Sequence, residues 1–218
     1  MNQALQAAIE DLRAYRQKHF ELGKYILQAA DASLYPLDIL AVATLNRSLA
    51  LLAGFCALIE ARNLLSAAPL LRLQLDNCLR FSASWLVSEP HEFALRVLQG
   101  VQIKKLRDAN GNALTDSYLV KSLSKEKPWV RRVYEASSGY IHLSDKHVFN
   151  AMQASSKDGT INMKISETDY YVSEELYLEA VAAFKAATDL LLEFMYGWGW
   201  TKDNPARMKE LKRKRGMG

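Results

Sequence analysis

Glycine and proline are scarce in this chain, 10 and 5 in 218 residues, and cysteine is scarcer, limited to Cys56 and Cys78. The low glycine and proline content excludes a collagen-like or low-complexity chain. Two thiols 22 positions apart exclude a disulfide scaffold and a four-thiolate zinc site. The strongest apolar run, residues 49–59, holds 11 residues, where a bilayer span takes about 20. The first ten residues lack the basic start and apolar core of a secretory signal. These absences lead to the expectation of a soluble, cytoplasmic protein without membrane association, its cysteines reduced in the core. Also missing are a Gly-x-Ser-x-Gly elbow, a phosphate-binding Gly-rich loop with Lys-Ser/Thr, a dinucleotide fingerprint and a Glu-x-x-His pair. Neither a cofactor nor a metal is expected.

What is present is ordinary globular composition, 50% hydrophobic and 24% charged, apolar enough to exclude disorder over most of the chain. The formal charge of +4 is uneven: residues 202–218 carry seven basic and two acidic side chains, so that stretch holds +5 and the rest about −1. This predicts one domain over residues 1–201 and a basic tail over 202–218. Such a tail suits phosphates or an acidic partner, or is a solvated terminus. No aromatic residue follows Trp200, so the tail lacks a base-stacking platform.

Apolar periodicity predicts an all-α bundle. Leu5, Leu12, Tyr15, His19, Leu22 and Ile26 mark a seam along one helix over residues 2–30. A second helix is expected over 37–65, and a third from an N-cap at Ser66 to about 87. Shorter helices are expected over 91–107, 115–123 and 128–137. A last long helix starts at the cap Ser173, and Gly197 and Gly199 are read as its end. Between these helices, strict alternation over 160–165 behind Lys157-Asp158-Gly159 predicts a β-hairpin, 147–154 with 160–166. It should pack on the helices, since an isolated hairpin is marginal, and its place directly after His142 suits a lid.

Two stretches carry candidate chemistry. On the third helix Arg72, Asp76 and Arg80 fall at i, i+4 and i+8 of an otherwise apolar sequence. Two guanidinium groups around one carboxylate suit a phosphate or carboxylate ligand, or make a self-satisfied ion-pair ladder. The second stretch runs from Ser137 to His147. His142 has Tyr140 and Ser144 beside it, and an imidazole there could transfer a proton near neutral pH. The alternative is a histidine satisfied by local partners. His19 and His91 read as structural, and the two cysteines as poor nucleophiles.

Glu60, Arg62 and Asn63, leading into Arg72 and Asp76, together with Ser138, Tyr140, His142 and Ser144 far downstream, resemble helical bacterial proteins similar to the HEPN superfamily. The resemblance spans roughly residues 40–200. It implies a helical bundle, frequent homodimers, and roles in RNA cleavage, toxin–antitoxin pairs and phage defence. Catalytic members carry Arg-x(4–6)-His on one helix. Here the nearest arginine before His142 is Arg132, ten residues away. Arg72 or Arg80 must therefore reach His142 through the tertiary fold.

Two functional expectations stand side by side. One is a metal-independent ribonuclease or nucleotide-acting effector, with His142 as acid or base, Tyr140 or Ser144 orienting it, and Arg72 and Arg80 holding phosphate. The other is a non-catalytic module for an anionic ligand or a cognate protein partner, with the seams of the first and last helices building a homodimer.

Overall fold

The structure is a computed structural model and describes residues 2–154, 159–207 and 210. The described elements are α1 (Gln3–Arg13), α2 (Tyr15–Gln28), α3 (Pro36–Glu60), α4 (Leu64–Ser82), α5 (Pro90–Leu98), α6 (Asp116–Leu123), α7 (Trp129–Ser138), α8 (Asp145–Ala151) and α9 (Glu174–Asp203). Strands β1 (Met152–Ala154) and β2 (Ile161–Met163) form an antiparallel hairpin. The all-α bundle with a small β insertion expected from periodicity is what is found.

The centre of the bundle is α4, packed against α3 and α9, while α1 and α2 run along α3 and α9. Two apolar clusters fill it. One gathers Leu5, Ile9, Leu12, Phe55, Ile59, Leu64, Tyr177 and Phe184. The other gathers Ile26, Leu37, Leu45, Leu75, Leu79, Phe81, Leu191 and Met195. Between them lies a layer of buried polar side chains, one from each of four helices: His19, Ser48, Gln74 and Thr188. His19 Nδ1 faces the Tyr15 carbonyl at 2.8 Å, so this nitrogen must donate and Nε2 must accept from the Ser48 hydroxyl at 2.9 Å. Gln74 Nε2 donates to Ser48 Oγ at 2.7 Å and to Thr188 Oγ1 at 3.0 Å. Asn77 Nδ2 donates to Gln74 Oε1 at 3.0 Å. Every listener in the layer has a speaker, which is the condition under which buried polar groups do not cost stability. Burial lowers the pKa of His19, outweighing the Tyr15 carbonyl that raises it.

By length and composition α3 could cross a membrane. In this fold it carries Asp38 and Ser48 into the interior. Asp38 accepts from Lys202 Nζ at 2.9 Å, Trp198 Nε1 at 2.7 Å and the Tyr35 backbone N–H at 2.8 Å. Lys202 also donates to the Ile26 carbonyl at 2.7 Å. Lys202, the first basic residue of the C-terminal stretch, is therefore a buried anchor in the last turns of α9. Tail residues 211–218 lie outside the described residues.

Several expectations are corrected. The first helix is broken at Ala14 into α1 and α2. The third begins earlier than expected: Asn63 is the N-cap, accepting from Ser66 N–H at 2.9 Å, and Pro69 lies inside the helix. The helix expected over 91–107 ends at Leu98. Gly197 and Gly199 do not end α9. They let neighbours come close: a Cβ on Gly199 would stand 2.5 Å from the Tyr25 ring, and one on Gly197 3.3 Å from Trp85. Residues 147–151 of the expected hairpin are helical, in α8, because Ser144 and His147 cap a helix there. The paired part is Met152↔Met163, Gln153↔Asn162 and Ala154↔Ile161; residues 155–158 lie outside the described residues. Ile161 and Met163 stand exposed where packing on the helices was expected. The seams of the first and last helices, offered as a dimer surface, are spent inside the bundle.

Candidate phosphate-binding cleft

An open cleft of about 390 Å³ lies between α4, the start of α6 and the end of α7, lined by Arg72, Leu73, Asp76, Asp116, Tyr134, Ser138, Ile141 and His142. Arg72, Asp76 and His142 thus line one cleft. The local sequence sets this geometry. Arg72, Asp76 and Arg80 share a stripe of α4. Asp116 sits in the first turn of α6, whose N-cap Thr115 accepts from the Tyr118 N–H. Tyr134 and Ser138 are one turn apart on α7, and Ser138 Oγ donates back to the Tyr134 carbonyl at 2.6 Å. Such back-bonding favours a helix end, and the chain then turns through Ile141 and His142.

The arginine stripe is largely paired. Arg80 Nε donates to Asp76 Oδ1 at 3.0 Å, and its Nη2 pairs with Asp116. Arg47, from α3, reaches Asp76 Oδ2 at 3.6 Å and donates to Asn77 Oδ1. The buried polar layer is thereby joined to the cleft. Arg72 differs from Arg80. Its guanidinium stacks over the Tyr134 ring at 4.0 Å and lies 3.7 Å from Asp116 Oδ2, beyond hydrogen-bond reach. Its side chain is only 12% exposed. Arg72 is held in place by stacking and charge while its N–H donors make no hydrogen bond among the described residues. The lining itself holds one arginine and two aspartates, and Arg47 and Arg80, which pair with those aspartates from outside the lining, bring the whole network to one positive charge.

The second group of candidates separates. His142 is exposed and lines the cleft. Ser144 Oγ donates to the Gly139 carbonyl at 2.6 Å and accepts from Lys146 N–H, capping α8. His147 Nδ1 accepts from Ser144 N–H at 3.1 Å. Tyr140 faces His147, ring centroids 6.4 Å apart, and its hydroxyl pKa is raised by burial, then by Asp169 and Asp145. Neither Tyr140 nor Ser144 bonds to His142. Among the described residues the hairpin contributes nothing to the lining, and His142 is exposed, so those residues form no lid over it; residues 155–158 of the expected lid lie outside the described residues.

Sequence reasoning missed Asp116, Tyr134 and Arg47. Asp116 has the form of a first-turn acid, favourable at any helix start, and Tyr134 has no marker beyond its place four residues before Ser138. The structural readings of the other two histidines hold: His19 is buried, and His91 stacks on Tyr35 at 5.0 Å and lies edge-on to Trp198 at 5.4 Å. Both thiols are buried, and burial pushes Cys56 up to about 11 and Cys78 higher still. Among the described residues no group of three or more His, Cys, Asp or Glu is placed to hold a metal ion. No family model, curated protein or solved structure matches the chain.

Proposed function

We propose that this chain is a HEPN-like helical effector that binds the phosphate of an RNA or nucleotide in the Arg72 cleft, with His142 as its proton-transfer group. The observation that carries this reading is Arg72: a nearly buried guanidinium, pre-positioned by Tyr134 and Asp116, without a hydrogen bond of its own and sharing a cleft with an exposed histidine. A guanidinium fork matches two phosphate oxygens, and a preordered donor costs little entropy on binding. His142 stands where an imidazole could take a proton from a ribose hydroxyl or give one to a leaving oxygen. Asp76 pairs with Arg80 and Arg47, and Asp116 with Arg80 and Arg72, so both hold arginines in place and His142 is left to carry the proton.

A non-catalytic reading is favoured by one observation, the engagement of Tyr140 and Ser144 away from His142. A site with one free proton-transfer group suits recognition of an anion or of a cognate partner's phosphate as well as cleavage.

One experiment separates the readings. Total RNA is incubated with purified protein in EDTA, and binding of a labelled oligoribonucleotide is measured in parallel. The effector reading expects fragmentation that His142→Ala abolishes while binding persists, and binding that Arg72→Gln weakens at least tenfold. Intact RNA with saturable binding lost in Arg72→Gln selects the binding module. Neither cleavage nor binding, with inorganic phosphate and nucleotides also failing to shift the melting temperature, overturns the proposal.

A further inference from the structure

A second open cleft, of about 450 Å³, is lined by Arg80, Val97, Val101, Gln102, Ile103 and Lys104. The end of α5 builds its apolar wall. Gly100 takes a φ of +86°, and the N–H groups of Gly100 and Val101 close onto the carbonyls of Val97 and Arg96. This Schellman arrangement folds the chain back against the last helical turn, and Val97, Val101 and Ile103 end up half-buried along one wall. The charges beside that wall are both cationic, Arg80 from α4 and Lys104, and among the described residues no acidic side chain joins the lining.

Arg80 stands between the two clefts. Its Nε and Nη2 are committed to Asp76 and Asp116, which line the Arg72 cleft. Its Nη1 makes no hydrogen bond among the described residues. Lys104 is exposed and makes neither a hydrogen bond nor an ion pair among them.

We propose that this second cleft binds a small carboxylate with an aliphatic body, and that the bound carboxylate weakens phosphate binding in the Arg72 cleft. A planar carboxylate matches the unused guanidinium donors of Arg80. Lys104 adds a second cation, and Val97, Val101 and Ile103 take the aliphatic body out of water. A bare inorganic anion leaves that wall unused, and a neutral alcohol leaves the cations unused. The coupling follows from the shared arginine and rests on the phosphate reading of the Arg72 cleft. A carboxylate on Arg80 competes with Asp116 for the guanidinium. Asp116 Oδ2 already stands 3.7 Å from Arg72 Nη2, so a small shift brings it into hydrogen-bond range and occupies donors that a phosphate needs. The added negative charge also cancels the single positive charge of the arginine–aspartate network. Both effects have the same sign, and by linkage phosphate in one cleft loosens the carboxylate in the other by the same factor.

The test titrates hexanoate into the full chain by calorimetry, beside hexanol and sulfate. The expected result is saturable hexanoate binding that Arg72→Gln retains and that Lys104→Glu and the cleft-filling Val101→Trp each weaken at least fivefold. Lys104→Glu changes an exposed side chain and should leave the melting temperature unchanged, so it decides the matter if Val101→Trp fails to fold. Hexanoate should then lower the affinity for the labelled oligoribonucleotide about fivefold in wild type and not in Lys104→Glu. No hexanoate binding, binding insensitive to Lys104→Glu, binding lost in Arg72→Gln, or equal Lys104-dependent binding of hexanol or sulfate would each overturn the site. Bound hexanoate that leaves the oligoribonucleotide affinity unchanged would overturn the coupling. A chain that binds hexanoate in this cleft but neither oligoribonucleotide nor inorganic phosphate would overturn the phosphate reading, and the coupling with it, and leave the carboxylate site standing.

Discussion

The polar layer inside the bundle and the segment from Gly139 to Ser166 are opposites: one buries polar side chains, the other exposes apolar ones. In the layer, His19, Ser48, Gln74, Asn77 and Thr188 are polar groups placed where apolar ones would pack, and hydrogen bonds through Ser48 and Gln74 join all five. In the segment, Leu143, Phe149, Met163 and Ile165 are apolar groups placed where polar ones would be solvated. A satisfied polar layer limits how four helices can slide past one another, because a one-turn shift would strand every member. The exposed apolar side chains of the segment place no such limit on how the helices pack. The first fixes internal register and the second leaves apolar side chains to solvent, and the cleft lies between the two: Asn77 and Arg47 connect to it from one side, Ile141 and His142 line it from the other.

This contrast orders the expected effects of substitution. The largest belongs to the interior. Lys202→Met leaves Asp38 buried with only Trp198 and the Tyr35 N–H as donors, and breaking such a pair costs about 3–5 kcal/mol. Urea unfolding should show that loss as a lower midpoint at unchanged slope. Replacing both partners, Asp38→Leu with Lys202→Met, should recover much of it, because two apolar groups need no counter-ion. A double variant no better than the single would mean that Asp38 is needed for its bonds to Trp198 and Tyr35 and not for its charge.

Next comes the polar layer. Gln74→Leu takes the acceptor from Asn77 Nδ2 and one donor each from Ser48 and Thr188, which keep their bonds to His19 and the Phe184 carbonyl; the stranded buried amide costs about 1–3 kcal/mol, reduced by whatever water enters. The same layer makes stability pH-dependent through His19. Its folded-state pKa lies below the ordinary value of 6.5 because burial disfavours the cation. The unfolded chain therefore binds a proton that the folded chain refuses, so His19's contribution is fully present above pH 6.5 and is lost as pH falls toward the folded-state value. Denaturation midpoints followed from pH 7.5 to 5 should decline, and His19→Gln should flatten that decline while lowering stability at pH 7.5.

The difference between the two regions also explains how far the sequence could be read. The helices of the bundle announce themselves because an apolar period of 3.6 is a property of each segment alone, and the alternation around Ile161 announces the hairpin in the same way. Gly197 and Gly199 misled for the opposite reason. A glycine near a helix end is a familiar stop, yet here it answers to Tyr25 and Trp85, residues remote in sequence whose approach only the fold reveals. The cleft was half legible. Arg72 and Asp76 are visible as a polar stripe on an apolar helix, and His142 as the histidine of a loop. Asp116 and Tyr134, which fix the guanidinium, carry no local signature. Ser144 was visible but its role was not, since a hydroxyl beside a histidine and a hydroxyl before a helix look alike in a sequence.

The segment's own substitutions should move stability less than those of the interior, and this is where the comparison is most easily broken. Ser144→Ala removes the cap of α8 and its bond to the Gly139 carbonyl, a loss of about 1 kcal/mol. Because α8 lies outside the two buried clusters, the loss should be local: faster amide exchange over residues 145–151 with little change in the global melting temperature. Smaller still is the effect of His142→Ala, an exposed side chain without a hydrogen bond, expected within about 0.5 kcal/mol of wild type. If His142→Ala instead lowers global stability by as much as Gln74→Leu, His142 belongs to the architecture of the bundle and its place in the cleft is structural. An unchanged melting temperature, beside altered RNA binding or cleavage, would leave function as the reason for an exposed histidine facing a preordered arginine.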